Sequence, residues 1–139
     1  MRSFLDTNLL VYVDSGDEPE KQRAAIALLR EHRAAGNAVL STQVLQEYTN
    51  VALRKLQLPA ALVRERLAFY SRFHLVPTTP ALLAGALDLH VLHHLPYYDA
   101  LVVQAAIASG CKRVLSEDLH HGGVYSGVRV ENPFRPAAG

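Results

Sequence analysis

Four acidic residues lie at predicted ends or borders of strands and helices, where carboxylates can act together. Asp6 directly follows a short apolar segment near the N-terminus, and Asp118 follows another near the opposite end of the chain. Glu47 lies at the border of the apolar face of a predicted helix, and Asp99 lies in the first turn of a nearly all-apolar helix. Because ligands gather outside the carboxyl ends of strands in open α/β sheets, these four side chains are candidates for one site.

A pocket that holds several carboxylates favours a divalent cation. Two carboxylates about 4 Å apart repel by roughly 4 kcal/mol at an effective dielectric constant near 20, so a cluster of them either shifts its pKa values or binds cations. Hard cations such as Mg²⁺ and Mn²⁺ take oxygen ligands, and a bound ion of this kind can activate water for attack on a phosphodiester. Three nearby polar side chains could orient such waters: Thr7, Asn8 and Ser116.

Each acid also has an ordinary structural explanation when it is considered alone. Asp6 could cap the helix that follows it, and Asp99 would be stabilised by the dipole of its own helix. Glu47 could be a surface glutamate, and Asp118 could be a turn residue. The hypothesis of a shared site therefore depends on the four acids taken together.

The elements that would position these acids follow an alternating pattern of short apolar strands and amphipathic helices. This pattern predicts an α/β fold with a mainly parallel sheet of four to five strands, sandwiched by helices. The helix at 98–109 is apolar on nearly all faces, so we expect it deep against the sheet. The predicted strands are 2–5, 38–40, 75–76, 113–116 and 128–130, and the predicted helices are 9–13, 19–35, 42–55, 61–73, 81–93 and 98–109.

Length and composition indicate a single domain, which we predict at 1–134, followed by a flexible tail at 135–139. The chain has 139 residues, half of them apolar, and it contains no repeat or linker. Its apolar runs end well before the roughly 20 residues that span a bilayer, and the N-terminus lacks the layout of a signal peptide. The lone Cys111 excludes an intrachain disulfide. We therefore predict a cytoplasmic protein without a membrane segment.

Basic residues are concentrated in the middle of the chain, although the net charge is only +1. A solvated helical face is the ordinary interpretation of such a cluster. A track for a phosphate backbone is the alternative. On the second interpretation, the candidate nucleic-acid contacts are Arg54, Lys55, Arg64 and Arg66.

Four segments resemble the motifs of the PIN-domain family of metal-dependent nucleases, in particular the VapC-type toxins of bacterial and archaeal toxin–antitoxin pairs. Residues 4–8 (FLDTN) look like the family's opening motif, and residues 41–47 (STQVLQE) end on its second acid. Residues 98–106 (YDALVVQAA) are similar to the helix that carries the third acid. Residues 115–119 (LSEDL) resemble the fourth motif, with Ser116 where many members have threonine. The order and spacing of the segments match across almost the whole chain.

The resemblance implies an endoribonuclease that depends on Mg²⁺ or Mn²⁺ and hydrolyses RNA by metal-activated water. It also implies a homodimer and a separate antitoxin protein that inserts a segment near the acidic pocket. The residues that match the family's acids are expected to be both metal ligands and catalytic groups: Asp6, Glu47, Asp99 and Asp118. Glu117 is an alternative to Asp118 as the fourth ligand, and Thr7, Asn8 and Ser116 are supporting residues.

Two other functions compete with this interpretation. An aspartyl phosphotransferase would use Asp6 as a covalent nucleophile. Such enzymes usually carry a second acid two residues later, where this chain has Asn8. A non-catalytic RNA- or partner-binding module with the same fold is the second alternative. A binder of phosphate gains nothing from a negatively charged pocket, so the four acids disfavour it.

Overall fold

The core of the protein is a six-stranded, mostly parallel sheet. The computed structural model describes residues 1–135, and within them the strands are β1 (Ser3–Leu5), β2 (Ala38–Ser41), β3 (His74–Val76), β4 (Arg113–Leu115), β5 (Val124–Tyr125) and β6 (Val128–Glu131). Their order across the sheet is β3-β2-β1-β4-β6-β5. Only the β5–β6 pair is antiparallel among these strands. The predicted α/β fold with a mainly parallel sheet is therefore confirmed.

The sheet differs from the prediction at one edge. The segment predicted at 128–130 is β6, and the two-residue β5 precedes it as the other arm of a hairpin. Gly127 lies in the connecting turn with a positive φ of 84°, a conformation that suits glycine. Two residues are too few to show an alternating apolar pattern, so β5 left no signal in the sequence.

Six helices pack against the sheet and against one another. They are α1 (Thr7–Val13), α2 (Pro19–Ala35), α3 (Thr42–Arg54), α4 (Ala60–Tyr70), α5 (Pro80–His93) and α6 (Tyr97–Ala108). Local sequence sets several of their ends. Ser41 caps α3 by accepting a hydrogen bond from Val44 N at 3.2 Å, and Gly36 ends α2 in the left-handed conformation.

The helix α6 lies in the core, as its composition predicts. Six of its residues are buried, and it contacts β2, β4 and β6. The helix α5 packs along it so closely that a Cβ added at Gly85 would approach Gln104 Nε2 to 2.6 Å. Glycine at this position therefore leaves room for the Gln104 side chain between the two helices. The acid at the start of α6 is consequently attached to the most buried helix of the fold.

Two further predictions concern the ends of the chain and the membrane. The predicted tail, 135–139, lies outside the described residues apart from Arg135. Within residues 1–135, no helix combines the length and the apolar character that a membrane span requires.

Candidate active site

Asp6 lies where β1 ends, beside the end of the neighbouring strand β4. The parallel register pairs Leu5 with Leu115, and Asp6 N continues this ladder with a hydrogen bond of 3.0 Å to Leu115 O. Asp6 and Ser116, the residues that directly follow β1 and β4, therefore lie side by side. Ser116 Oγ donates a hydrogen bond of 2.7 Å to Asp6 Oδ2. The two predicted strand-end motifs, 110 residues apart, form one buried contact.

Asp6 also caps the helix α1, as the ordinary interpretation of this residue predicts. Its Oδ1 accepts a hydrogen bond of 2.8 Å from Thr7 N, while Oδ2 faces Ser116. The carboxylate is 5% exposed. Burial raises the pKa of Asp6 to about 6, and the charges of Glu47 and Asp118 add to this rise. The hydrogen bonds from Ser116 and Thr7 oppose it.

Glu47 reaches the end of β1 from the helix α3. Its Oε2 accepts a hydrogen bond of 2.8 Å from Thr7 Oγ1, and its Oε1 accepts one of 2.8 Å from Gln43 Nε2. The side chain is half-buried, as expected at the border of the apolar face. Thr7 thus joins the first and second acids, because it follows Asp6 and binds Glu47.

Asp99 belongs to the same region of negative charge. It lies in the first turn of α6 and is partly buried. Burial raises its pKa, and the charges of Asp118 and Glu47 raise it further. A hydrogen bond of 3.4 Å from Gln43 Nε2 to Tyr98 O places the start of α6 beside the helix that carries Glu47.

The loop after β4 separates the roles of its two adjacent acids. Asp118 Oδ2 accepts a hydrogen bond of 3.2 Å from Asn8 Nδ2, which brings Asp118 beside the opening motif. Glu117 instead pairs with Lys21 Nζ at 2.7 Å and accepts a hydrogen bond of 2.6 Å from the Tyr12 hydroxyl. Partial burial opposes the ionisation of Glu117, but these two donors outweigh it and hold its pKa below the usual range. The carboxylate of Glu117 is therefore committed to contacts within the protein.

Asn8 and Ser116 hold the loop in this position. Asn8 Oδ1 accepts a hydrogen bond of 3.3 Å from Glu117 N. Ser116 Oγ accepts hydrogen bonds from Asp118 N at 3.1 Å and from Leu119 N at 3.3 Å. Two supporting residues from the sequence analysis thus fix the backbone that carries Asp118.

An open groove of about 410 Å³ runs beside these acids. Its walls include Thr7, Asn8, Glu47, Asp118 and, at one side, Lys55. Asp6 and Asp99 both lie outside the residues that line this groove. A basic side chain at the edge of an acidic groove suits a ligand whose anionic backbone passes over the acids.

The carboxylate oxygens suit a hard divalent cation such as Mg²⁺, which needs only one or two of them as direct ligands. Between residues 1 and 135, no lysine or arginine forms an ion pair with any of the four acids, so their charge is uncompensated. Across the same residues, no three acidic, histidine or cysteine side chains already converge on one metal position. Mg²⁺ usually binds one or two carboxylates and keeps several waters, which does not require such convergence.

The basic residues predicted to contact nucleic acid have different environments. Arg54, Lys55 and Arg64 are exposed. Arg66 instead binds Asp14 through two donors, Nε at 3.0 Å and Nη2 at 2.9 Å, and the Tyr48 hydroxyl also donates to Asp14. The Asp14 side chain is only 5% exposed. Arg66 therefore joins α4 to the end of α1 through an ion pair whose Arg66 side is partly exposed.

Three residues of the site were absent from the sequence analysis. Gln43 precedes Glu47 by four residues on one helix, a spacing that places the two side chains together and could have identified it. Tyr12 and Lys21 surround Glu117 from α1 and α2. Both lie far from Glu117 in the chain, Tyr12 by 105 residues, so no local sequence pattern could have predicted these contacts.

Comparison with solved structures finds proteins of the same fold. The Mycobacterium tuberculosis toxin VapC20, described as cleaving the sarcin–ricin loop, matches at 17% identity and a TM-score of 0.65. The match covers 84% of this chain and 91% of VapC20. A toxin–antitoxin complex from Klebsiella pneumoniae matches at 17% identity and a TM-score of 0.71, over 96% of this chain and 99% of that one. VapBC2 from Rickettsia felis, bound to a DNA fragment from its promoter, matches at 19% identity and a TM-score of 0.67, over 95% and 98%.

These structural neighbours establish the fold, and a family model establishes the family. No match was found among curated proteins. The model of the PIN domain matches residues 3–124, which include all four acids and both strands whose ends meet at Asp6 and Ser116. The chain therefore belongs to the PIN-domain family.

Proposed function

We propose that the protein is an endoribonuclease that hydrolyses RNA phosphodiesters with the help of a bound divalent ion, Mg²⁺ or Mn²⁺. The observation that carries the proposal is the set of hydrogen bonds that joins the motifs at the strand ends, from Ser116 to Asp6, from Thr7 to Glu47 and from Asn8 to Asp118. The charges of Glu47 and Asp118 raise the pKa values of both Asp6 and Asp99. Uncompensated negative charge of this kind binds cations, and a pocket that only bound phosphate would be weakened by it.

Each residue has a distinct task in this mechanism. Asp6, Glu47, Asp99 and Asp118 would hold the ion, one or two of them directly and the others through its bound waters, and the ion would supply an activated water and neutralise charge on the phosphate. Ser116 orients the Asp6 carboxylate, and Thr7 orients that of Glu47, through the hydrogen bonds described above. Asn8 keeps Asp118 beside Asp6.

The exposed basic residues would guide the RNA backbone to these acids. Lys55 lies on the wall of the groove, and Arg54 precedes it at the end of α3. Arg64 is exposed on α4. Because Arg66 is engaged by Asp14, its contribution to RNA binding would be smaller than that of Lys55.

Replacement of Asp6 or Asp99 by Asn tests the activity. Each variant should lose metal-dependent cleavage of a panel of synthetic RNA oligonucleotides by at least about 100-fold, because a lost ligand removes transition-state stabilisation of several kcal/mol. Circular dichroism should show a folded protein. Asp17→Asn, which alters an exposed loop acid, is the matched control and should cleave normally.

Two results would contradict the proposal. Normal cleavage by Asp6→Asn and Asp99→Asn would remove these acids from the mechanism. Binding of RNA by the wild-type protein without turnover in Mg²⁺ or Mn²⁺ would favour the non-catalytic module instead.

We further propose that the protein is the toxin of a toxin–antitoxin pair in the cytoplasm. The support is the similarity of its fold to VapC20, VapBC2 and the Klebsiella pneumoniae complex. A small DNA-binding protein encoded directly upstream is expected, and its co-expression should inhibit RNA cleavage. Co-expression with no effect on cleavage would contradict the toxin assignment.

A homodimer is also part of the proposal, and the exposed face of α5 supports it. Leu83, Leu87 and Val91 follow one another at intervals of four residues and are 39%, 53% and 67% exposed. This spacing places them in one row on the helix. Such a row of large aliphatic side chains marks an interaction surface more often than a free one. A two-fold axis near Leu87 would place Leu83 of one protomer against Val91 of its partner.

A further inference from the structure

One buried amide connects two of the helices that carry the acids. Gln43 lies in the first turns of α3 and is 8% exposed. Its Nε2 donates a hydrogen bond of 2.8 Å to Glu47 Oε1 and a longer one of 3.4 Å to Tyr98 O. Tyr98 directly precedes Asp99 in the first turn of α6. A single NH₂ group thus contacts the second acid and the backbone beside the third.

Gln43 completes the set of donors around Glu47. The two carboxylate oxygens of Glu47 accept hydrogen bonds from neutral groups on different elements. Gln43 on α3 donates to Oε1, and Thr7 on α1 donates to Oε2. Neutral donors fix the orientation of a carboxylate without cancelling its charge. A lysine in place of Gln43 would instead form an ion pair with Glu47 and compete with a bound cation.

We propose that Gln43 is a positioning residue that fixes the orientation of Glu47 relative to the Asp99 turn, and that the binding of a divalent ion depends on this orientation. The inference rests on the proposed function, since it assumes that these acids bind the ion. In this role Gln43 would be neither a ligand of the ion nor a contact of the RNA. Its effect passes through Glu47 and through the backbone at Tyr98, in the way that hydrogen-bond partners of metal ligands commonly act.

The substitution Gln43→Met removes the donors and keeps the length and the apolar stem of the side chain. We expect the affinity for Mn²⁺, measured by calorimetric titration of the full chain without RNA, to fall by about 10- to 100-fold. The matched control is Gln46→Met, on the exposed face of the same helix, which should bind Mn²⁺ as the wild type does.

A second readout separates this role from a purely structural one. Cleavage of a synthetic RNA by Gln43→Met should be weak at low Mn²⁺ and should recover towards the wild-type kcat at saturating Mn²⁺, with an unchanged KM for RNA. General damage to the fold would lower kcat at every ion concentration. Unchanged Mn²⁺ affinity, or a defect that saturating Mn²⁺ leaves in place, would overturn the inference.

Gln43→Asn keeps the test decisive if the methionine variant does not fold. It retains the amide but shortens the side chain by one methylene, so the 2.8 Å contact with Glu47 Oε1 is lost while the position stays polar and neutral. We expect a loss of Mn²⁺ affinity similar to that of Gln43→Met, and wild-type affinity would overturn the inference.

The two hypotheses fail in different ways. If the wild-type protein binds Mn²⁺ and cleaves RNA while both Gln43 variants bind Mn²⁺ normally, only the role of Gln43 is wrong. If the wild-type protein neither binds Mn²⁺ nor cleaves RNA, the proposed function is wrong, and the role of Gln43 is overturned with it.

Discussion

Asp6 is held in an environment that opposes its own ionisation. It is buried, and it faces the charges of Glu47 and Asp118, while two hydrogen bonds recover part of the lost hydration. Its pKa of about 6, against 3.8 for an ordinary aspartate, means that the folded chain retains this proton to a higher pH than the unfolded chain. The free energy of unfolding should therefore decrease as the pH rises through this interval.

The pH dependence can be measured in the absence of divalent ions. The shift corresponds to at most about 3 kcal/mol, lost as the pH rises from about 4 through 6. Asp6→Asn does not ionise, so in chelator it should be more stable than the wild type at pH 7, by about 1–3 kcal/mol. The difference should shrink near pH 4.5.

Urea unfolding of both proteins at the two pH values provides the measurement. Added Mg²⁺ should reverse the order at pH 7, because an ion that binds the folded carboxylates stabilises the wild type by mass action. Parallel pH profiles for the two proteins in chelator would contradict the assigned environment of Asp6.

The roles of single residues could be predicted from the sequence where they depend on local patterns, and not where they depend on contacts between distant parts of the chain. Asp6 and Asp118 follow apolar segments. Asp99 begins a helix, and Glu47 borders the apolar face of another, so the positions of the acids relative to the elements were readable from the sequence. The partner of Glu117 could not be read from the sequence, because Lys21 reaches Glu117 only when α2 packs near the loop after β4. Likewise, four basic residues close together in sequence did not reveal that Arg66 is committed to Asp14.

At the level of elements, the contact between Arg66 and Asp14 joins three helices. Arg66 lies on α4, Asp14 follows α1, and the Tyr48 hydroxyl from α3 donates to the same carboxylate. Arg66→Met would leave Asp14 without its charged partner. We expect a loss of roughly 1–3 kcal/mol in the free energy of unfolding, because a nearly buried carboxylate would lack its cation.

The comparison with Lys55→Gln separates structure from RNA binding. Lys55 is exposed on the groove wall, so its substitution should leave the free energy of unfolding within about 0.5 kcal/mol and weaken RNA binding. Denaturant unfolding and fluorescence anisotropy with labelled RNA measure the two effects. An RNA-binding defect confined to Arg66→Met would reverse these assignments.

The boundaries of the helices were predictable where residues that start, cap or end a helix mark them. Pro19 and Gly36 bracket α2 as expected, and Ser41 caps α3. The helix α4 ends at Tyr70, three residues before the predicted end, and Phe73 then packs against Phe69 and Tyr70. Because Phe69 and Phe73 are four residues apart, their apolar spacing imitates a further helical turn.

At the level of the whole molecule, the row of aliphatic side chains on α5 predicts self-association. Leu87→Arg places a charge at the centre of the proposed two-fold contact and should convert the dimer to a monomer. Leu87 is 53% exposed, so the fold of the monomer should tolerate the change. Light scattering coupled to size exclusion measures the mass. A wild-type protein that is already monomeric at tens of micromolar would contradict the prediction.

The order of the strands has a consequence for how the chain is synthesised. The central strand β1 is made first, but one of its neighbours is β4, and Ser3 pairs with Arg113. The contact between Asp6 and Ser116 also spans 110 residues. A nascent chain therefore cannot assemble the acidic site until β4 has left the ribosome, when most of the polypeptide exists. Incomplete translation products that end before β4 would lack Asp118 and would leave one edge of β1 unpaired, so an interrupted round of synthesis yields a chain without the candidate nuclease site.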